Sequence, residues 1–323
     1  MLYEFKTYSF EQKAAALFQG DLLNAYTVDY KFFSPRLGIN YLLNDNINIY
    51  GNVSFAQREP ADNELYDTWQ GPDDLGIPPL FAKSDTVRKG GLVQKVEWSG
   101  PFVKPEKLID FELGINYRSQ YLAGSLNFYW MDFRNEILPY GGLDKDGSPI
   151  KGNADRTIHR GIEMSFNSRL NSMFSINGNL AYSENFFDKF IQNDLDWNTW
   201  QTVKTDLSGN TIAGFPGLIG NLKCDVSYQR LTASLSARHA GKQYLDNTEN
   251  ENRTIDAFTV FNAIFRYKMP QMLSLPKFEF VLNVINLLDT EYETAGYYDS
   301  WAGSAYYWPA AGRHFYAAVK VEL

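Results

Sequence analysis

The chain has 323 residues, of which 44% are hydrophobic and 16% aromatic, and its mean hydropathy is -0.36. It contains no run of 18 or more apolar residues, which excludes a membrane span formed by a helix. The formal net charge of -8, with no cluster of basic residues, excludes nucleic acid as a partner, and the single cysteine, Cys224, excludes an internal disulfide.

Alternation of apolar and polar residues is the main pattern of the chain, and it predicts about twelve β-strands and no amphipathic helix. The last alternating segment places Phe315, Val319 and Leu323 on one face, up to the final residue. A sequence that closes on such a strand is typical of an outer-membrane β-barrel. In chain order, the clearest alternating segments are 37–41, 47–55, 111–117, 174–183, 231–238, 261–267, 278–284 and 315–323.

The connections between these segments alternate between short and long. In an up-and-down barrel, alternate connections lie on the same side of the membrane, with short turns in the periplasm and long loops outside. A soluble sandwich has no reason to separate its loops by length. We therefore predict an all-β, antiparallel transmembrane β-barrel. The short connections are 44–46, 118–120, 171–172 and 229–230, and the long ones are 58–107, 134–158, 188–218, 243–255 and 288–313.

Four tyrosines provide an internal check on this arrangement. Tyr41, Tyr117, Tyr228 and Tyr267 each fall on the apolar face, near the end of a strand that runs toward a short turn. Tyrosine is common in strands of any kind. Four of them at one depth favour a periplasmic aromatic girdle, because tyrosine collects at membrane–water interfaces.

Several segments resemble, in the right order, the second half of the barrel of TonB-dependent outer-membrane receptors. They are SPRLGINY at 34–41, the run from Asn46 to Tyr66, KPEK with FELG at 104–114, RGIE at 160–163, and the terminal block with NLLDTEY at 286–292. The resemblance implies about twelve C-terminal strands of a 22-strand barrel, with residues 1–323 forming one partial barrel domain. A plug domain, a TonB box and a signal peptide are not found, so we expect a receptor fragment.

The resemblance also implies a function in the outer membrane of a Gram-negative bacterium. It implies a receptor, not an enzyme and without a cofactor, that binds a scarce nutrient such as a ferric siderophore in its outer loops for uptake. The implied partners are the TonB–ExbB–ExbD energy-coupling complex acting through a plug, outer-membrane lipid, the barrel assembly machinery and a small nutrient ligand. The alternatives are a SusC-like glycan importer, a non-transporting binding or adhesion barrel, and a soluble carbohydrate-binding domain.

Aromatic residues of the predicted loops are the candidates for ligand binding, because rigid rings stack on sugars, catecholate siderophores and corrinoids. The same residues also fit an interfacial girdle. We expect Arg58 to contact an anionic chelate, and Arg238 and Arg266 to face the lumen. The aromatic candidates are Trp69, Trp197, Trp200, Tyr244, Tyr297, Tyr298, Trp301, Tyr306, Tyr307 and Trp308.

The sequence predicts neither a catalytic site nor a metal site. The histidines His159, His239 and His314 lie on separate segments without the spacing of metal ligands. The acidic run 246–251 is consistent with weak calcium binding or with a solvated loop, and the second interpretation is favoured.

Overall fold

The computed structural model describes residues 5–12, 24–66, 76–143, 149–196, 201–271, 276–299 and 302–322. In these residues the chain is all-β, with one short 3-10 helix, Asp62–Leu65. No helix of the described part has the length and apolar character needed to cross a membrane. The strands are β1 (Phe5–Gln12), β2 (Asn24–Phe33), β3 (Arg36–Leu42), β4 (Ile47–Arg58), β5 (Phe81–Lys89), β6 (Leu92–Pro101), β7 (Glu106–Arg118), β8 (Leu122–Leu143), β9 (Pro149–Arg169), β10 (Phe174–Lys189), β11 (Ile191–Asp196), β12 (Gln201–Asp206), β13 (Leu218–Tyr228), β14 (Leu231–Ala240), β15 (Gln243–Tyr244), β16 (Thr254–Ile255), β17 (Phe258–Lys268), β18 (Lys277–Ile285), β19 (Glu293–Asp299), β20 (Ser304–Pro309) and β21 (His314–Glu322).

One antiparallel sheet of eleven strands organises the molecule. Its order, β3-β4-β7-β8-β9-β10-β13-β14-β17-β18-β21, follows the chain, so each strand pairs with the next member of the sheet. This up-and-down arrangement confirms the fold class. The sheet has eleven described strands rather than about twelve, and β1 and β2 belong to a separate four-stranded sheet with β5 and β6.

The two ends of the main sheet differ in the length of their connections. Five short connections, 43–46, 119–121, 170–173, 229–230 and 269–276, lie at one end, and the short β8–β9 connection, 144–148, is the exception at the other end. The long ones, 59–105, 190–217, 241–257 and 286–313, lie at the other end and carry the additional strands. The predicted separation of connections by length is therefore confirmed.

The prediction of a long loop over 134–158 is wrong. Strands β8 and β9 continue as a paired hairpin from the sheet to Leu143 and Pro149. Alternation is lost there because the hairpin packs against other parts of the protein, so that consecutive residues such as Ile137 and Leu138 are both buried. Arg134 and Arg156, directly opposite each other, occupy the face that is apolar further along the same strands.

The two faces of the main sheet have opposite character. On one face, large apolar side chains are exposed to the surroundings, such as Ile39 at 73% and Leu235 at 47%. On the other face, amides form cross-strand hydrogen bonds, including Asn221 Nδ2 to Asn179 Oδ1 at 2.9 Å. Apolar residues exposed in a continuous sheet face indicate contact with lipid, and polar residues opposite indicate a hydrated interior.

The four tyrosines of the predicted girdle lie where expected. Tyr41, Tyr117, Tyr228 and Tyr267 are 41% to 62% exposed, on the apolar face and at the end of the sheet that carries the short connections. Their role in anchoring the sheet at the membrane interface stays a prediction.

Two tyrosines of the polar face lie flat on glycines of the neighbouring strand. Tyr50 is directly opposite Gly114, and Tyr129 is directly opposite Gly161. A Cβ atom at either glycine would overlap the tyrosine ring. The hydroxyl of Tyr50 donates a hydrogen bond to Asn127 Oδ1 at 3.1 Å, which holds the ring along the sheet.

Buried side chains concentrate at the end with the long connections. The four-stranded sheet has its own core, built on Tyr26, Phe32, Leu65 and Phe81. A second cluster joins the β8–β9 hairpin to the connection after β10. Its members are Leu138, Ala154, Phe187, Phe190, Leu207 and Ile212.

Candidate functional site

We distinguish two parts of the molecule by the level at which the apolar face ends. Trp130 on β8 and Tyr182 on β10 lie at that level. The wall is the main sheet from the short connections to this level. The rim is everything beyond it: the long connections with the strands they carry, and the outer parts of β7, β8, β9 and β10.

Three aromatic side chains of the rim lie together on one face of the β19–β20 hairpin. Tyr297 is opposite Tyr306, and their rings stack with centroids 5.3 Å apart and an interplanar angle of 17°. The ring of Trp308 lies 5.6 Å from that of Tyr297. Tyr306 and Trp308 remain 45% and 50% exposed. This aromatic trio is a stacking surface that is open to a ligand.

The other face of the hairpin contacts the connection that carries β15 and β16. The guanidinium carbon of Arg253 lies 3.5 Å from the centroid of the Tyr298 ring, a cation–π contact. Arg253 also donates to Asp246 Oδ2 at 2.7 Å. Tyr298 is thus a bracing residue, while Tyr307, 40% exposed, lies next to Gly296 and Leu245.

Tyr244 belongs to a different group of side chains. Its hydroxyl donates to Glu251 Oε1 at 2.8 Å, and Lys242 Nζ donates to Glu251 Oε2 at 2.7 Å. The hydrogen bond from Lys242 lowers the pKa of Glu251, and the same bond raises the pKa of Lys242. Lys242 and Tyr244 line a cavity of about 560 Å³ together with Arg160 and Phe215.

Asn247 ties three connections of the rim together. Only 1% exposed, it donates from Nδ2 to the carbonyl of Pro139 at 3.1 Å and accepts at Oδ1 from the amide of Ala213 at 2.9 Å. Its own carbonyl accepts from Asn210 Nδ2 at 3.0 Å. These bonds hold the β14–β17 connection against the β8–β9 hairpin and the β10–β13 connection.

His159 lies buried at the base of the rim, on the rim side of Arg160. Its Nε2 is 3.0 Å from Glu136 Oε2, and its Nδ1 is 2.8 Å from Asn185 Oδ1. Asn185 uses its Nδ2 to donate to Ser183 Oγ, so its Oδ1 is an acceptor. Both ring nitrogens therefore face acceptor oxygens, an arrangement that favours the charged imidazolium.

The electrostatics of this group agree with its hydrogen bonds. Burial acts to lower the pKa of His159, but the hydrogen bond and charge of Glu136, with a further bond to Asn185, raise it above the ordinary 6.5. Glu136 is also bonded to Thr157, and the rings of Phe133 and Phe215 contact the imidazole edge-on. Sequence reasoning missed this group because its members are 21 to 26 residues apart.

The remaining predicted site residues do not join the aromatic trio. Arg58 pairs with Glu106 at 3.0 Å, where β4 meets β7. Arg238 and Arg266 lie on the polar face, as expected, and Arg238 lines a groove of about 430 Å³ with Asn177 and Asn262. Four predicted residues, Trp69, Trp197, Trp200 and Trp301, lie outside the described residues.

Charged residues of both signs lie on the polar face of the sheet. Strands β7 and β9 carry Asp110, Glu112 and Glu163, and Asp110 Oδ1 is buried with no hydrogen-bond partner in the described part of the chain. Strands β14 and β17 carry Arg238 and Arg266. An interior of this kind complements a filling segment with charges of both signs.

Three carboxylates of the β14–β17 connection are bound to protein groups. Glu249 Oε1 accepts from the amide of Thr211 at 2.7 Å, Asp246 pairs with Arg253, and Glu251 pairs with Lys242. Across the described ranges, no three His, Cys, Asp or Glu side chains are grouped so as to hold a metal ion.

These observations define an outer-membrane β-barrel wall with a structured extracellular rim. The family model "TonB dependent receptor-like, beta-barrel" matches residues 3–287, so the chain belongs to the family of TonB-dependent outer-membrane receptors. It is a protein of the Gram-negative outer membrane, and its family consists of receptors rather than enzymes. No protein with a curated description matches the chain.

Solved structures of receptors share the fold at low sequence identity. The siderophore receptor PiuA from Acinetobacter baumannii has a TM-score of 0.65 at 16% identity, over 98% of this chain and 39% of that one. The ferric yersiniabactin uptake receptor FyuA from Yersinia pestis has a TM-score of 0.62 at 15% identity, over 92% and 38%. The copper transporter OprC has a TM-score of 0.61 at 17% identity, over 91% and 40%. The chain thus spans about two-fifths of the length of these receptors.

Proposed function

We propose that residues 1–323 are the carboxy-terminal part of a receptor barrel that binds a scarce nutrient at its rim for TonB-energised uptake. The observation that carries the proposal is the aromatic trio, which is exposed on the end of the sheet opposite the short turns. The β19–β20 hairpin is held by protein contacts on one face and is open on the other. It therefore presents the aromatic trio to a ligand without the loss of entropy that ordering a flexible loop would require.

The proposed partners follow from the two faces of the wall. Lipid of the outer membrane covers the apolar face, and the barrel assembly machinery inserts it. The charges of both signs on the polar face suit a plug that carries both basic and acidic side chains. Through that plug, the TonB–ExbB–ExbD complex would supply the energy for uptake.

A ferric siderophore is our first proposal for the ligand. Two of the three structural relatives described above carry names that refer to siderophores or their ferric complexes. Catecholate rings stack on tyrosine and tryptophan, which the aromatic trio supplies. Arg58, Tyr244, Tyr298 and Tyr307 would then support the rim rather than contact the chelate directly.

An uncharged glycan, as in a SusC-like importer, is the second candidate. The excess of acidic residues in the rim favours it over an anionic chelate. Each long connection has more Asp and Glu than Lys and Arg; the one from 286 to 313 has four acidic residues and Arg313 alone as a base. An anionic ferric chelate would be repelled by this rim, whereas a neutral sugar would not.

Substitution of the trio tests the proposal. In membranes containing the complete receptor, Trp308→Ala should weaken binding of the correct probe at least tenfold, because stacking area is lost. Tyr307→Ala, one residue away on the opposite face of the same strand, is the matched control and should change binding less than twofold. Equal loss in both variants would count against the trio as the binding surface.

The choice of probe decides the ligand class. A ferric catecholate and a neutral oligosaccharide should be measured side by side, each at low and high salt. An anionic chelate should bind more tightly as salt screens the acidic rim, whereas a neutral sugar should show no salt dependence. Binding of neither probe, with a folded receptor, would favour the non-transporting barrel that serves adhesion.

A further inference from the structure

A row of uncharged polar side chains crosses the polar face of the wall. Each member is directly opposite the next one on the neighbouring strand of the main sheet. On β14 the row ends at Arg238, which is directly opposite the last uncharged member. We call it the neutral row, and its members, in order from β4 to β13, are Asn48, Asn116, Ser125, Ser165, Asn179 and Asn221.

The neutral row runs obliquely from one end of the wall to the other. Asn48 is the second residue of β4, close to the short connection 43–46. Arg238 lies two residues before Ala240, the last residue of β14 at the rim end. Strands of a barrel are tilted and staggered, so residues that pair across the sheet lie at successively different heights. The row therefore joins the end of the short connections to the rim.

Two grooves on the polar face follow the neutral row. One, of about 630 Å³, is lined by the members on β4, β7 and β8. The other, of about 430 Å³, is lined by the members on β10 and β13 and by Arg238. Ser165 and Asn167 line both grooves, so the two adjoin in the middle of the row. Volumes in this range are typical of sites for small molecules.

The members of the row are held across the strands and still offer hydrogen-bonding groups to the lumen. Asn221 Nδ2 donates to Asn179 Oδ1 at 2.9 Å, and the hydroxyl oxygens of Ser125 and Ser165 are 2.7 Å apart. An amide carries two donor hydrogens and an acceptor oxygen with two lone pairs, so one cross-strand bond leaves most of its capacity. Because Asn179, Asn221 and Ser165 are exposed, this capacity is open to a ligand.

An aromatic ring lies flat beside the row. Tyr50 follows Asn48 on the same face of β4 and covers Gly114 of the neighbouring strand. Its hydroxyl bonds Asn127 Oδ1 at 3.1 Å. A ring held along the sheet presents its face to the lumen, and such a face packs against the apolar side of a sugar ring. Amides, hydroxyls and an aromatic face together suit a molecule that is both hydroxyl-rich and uncharged.

We propose that the neutral row is a binding track for a neutral oligosaccharide that passes from the rim into the lumen. Amide and hydroxyl side chains both donate and accept, as the hydroxyls of a sugar do. The six members offer no counter-charge to an ionic chelate, so the row discriminates in favour of an uncharged cargo. Neighbouring members are about 4.8 Å apart, the spacing of strands, so a sugar reaches the next member before it leaves the last. The inference rests on the proposed function, because the rim must deliver the cargo.

Photochemical labelling during uptake tests the track directly. Cells that produce the complete receptor take up a neutral glucose oligosaccharide carrying a diazirine, and mass spectrometry identifies the labelled peptides. Labelling of the row is expressed relative to labelling of the rim. Asn179→Leu/Asn221→Leu should lower this ratio by about fivefold or more, because leucine forms no hydrogen bond with the sugar. Asn179→Thr/Asn221→Thr should keep most of it, and heat-modifiability on gels checks that each variant is folded.

The matched control is Asn283→Leu, the same substitution on the polar face of β18, which does not line either groove. It should leave the ratio unchanged. An oligosaccharide of uronic acids, which carries a charge on every sugar, should give a ratio lower by about fivefold or more. Equal ratios for the two probes would overturn the track, and so would an unchanged ratio in the leucine variant.

The track and the proposed function are separated by Trp308→Ala, which acts on the rim alone. Labels confined to the rim, together with weaker rim binding in Trp308→Ala, would overturn the track and support the proposed function. Labels on the neutral row, together with unchanged rim binding in Trp308→Ala, would support the track and count against the aromatic trio as the capture site.

Discussion

The wall and the rim use different interactions to hold their strands in place. In the wall, backbone pairing runs without interruption from β3 to β21, and the apolar side chains are exposed rather than packed in a protein core. In the rim, buried groups such as His159, Glu136 and Asn247 join segments that are far apart in the chain. The wall thus depends on lipid to cover its side chains, whereas the rim depends on contacts that the chain makes with itself.

The largest effect should come from breaking the buried ion pair of the rim. His159→Leu leaves the carboxylate of Glu136 buried without its counter-charge, at an expected cost of about 3–5 kcal/mol. Hydrogen exchange of the outer parts of β8 and β9 should then become at least a hundredfold faster, while the wall keeps its protection. The double variant His159→Leu/Glu136→Gln should recover part of the loss, and no recovery would contradict the charged pair.

A charged residue on the apolar face should act on the wall instead. Leu235→Arg places a cation against lipid and should cost about 2–4 kcal/mol near the midplane, which blocks assembly of the receptor in the membrane. Ser236→Arg projects to the polar face and should assemble normally. Membrane yield and heat-modifiability on gels measure both, and equal tolerance of the two variants would show that the assigned faces are wrong.

The rim should also lose stability as the pH rises, while the wall should not. The folded-state pKa of His159 is raised above its ordinary 6.5, so its contribution is complete below that pH and is lost as the pH rises through the folded value. Limited proteolysis of the rim from pH 6 to pH 9 should show this trend, and His159→Leu should remove it. A pH-independent pattern in the original chain would exclude a charged His159.

A smaller loss of stability is expected when the side chain of Asn247, which joins several segments of the rim, is removed. Asn247→Ala leaves the carbonyl of Pro139 and the amide of Ala213 without partners, at a cost of about 1–3 kcal/mol. Faster hydrogen exchange should appear in the β8–β9 hairpin and in the β10–β13 connection, which Asn247 holds together. Asn250→Ala, in the same connection, is the control, because among the described residues its Oδ1 accepts only from the nearby amide of Asn252.

The difference between the wall and the rim also explains which strands could be predicted from the sequence. Wall strands such as β7 and β14 alternate because one face meets lipid and the other meets water, so their positions and faces were predictable. Rim strands such as β19 and β20 carry aromatic side chains on both faces, with Tyr306 on one face and Tyr307 on the other, so no alternation marks them and residues 288–313 read as a loop. The extension of β8 and β9 was missed because consecutive residues there, such as Ile137 and Leu138, are both buried.

The candidate site was predictable only in part. Aromatic density pointed to the segment 297–308, but not to the division that places Tyr297, Tyr306 and Trp308 on one face and Tyr298 on the other. His159 was set aside because spacing along the chain cannot reveal partners on other strands.

The pairing of Tyr50 with Gly114 and of Tyr129 with Gly161 has a consequence for the space beside the polar face of the wall. A tyrosine standing upright on the polar face would narrow this space by the length of its ring. Lying over a glycine, each ring adds little to the thickness of the sheet, and its hydroxyl still bonds a neighbour such as Asn127. The glycines therefore keep the polar face flat, and an alanine at either position would displace the tyrosine ring into the space beside the wall.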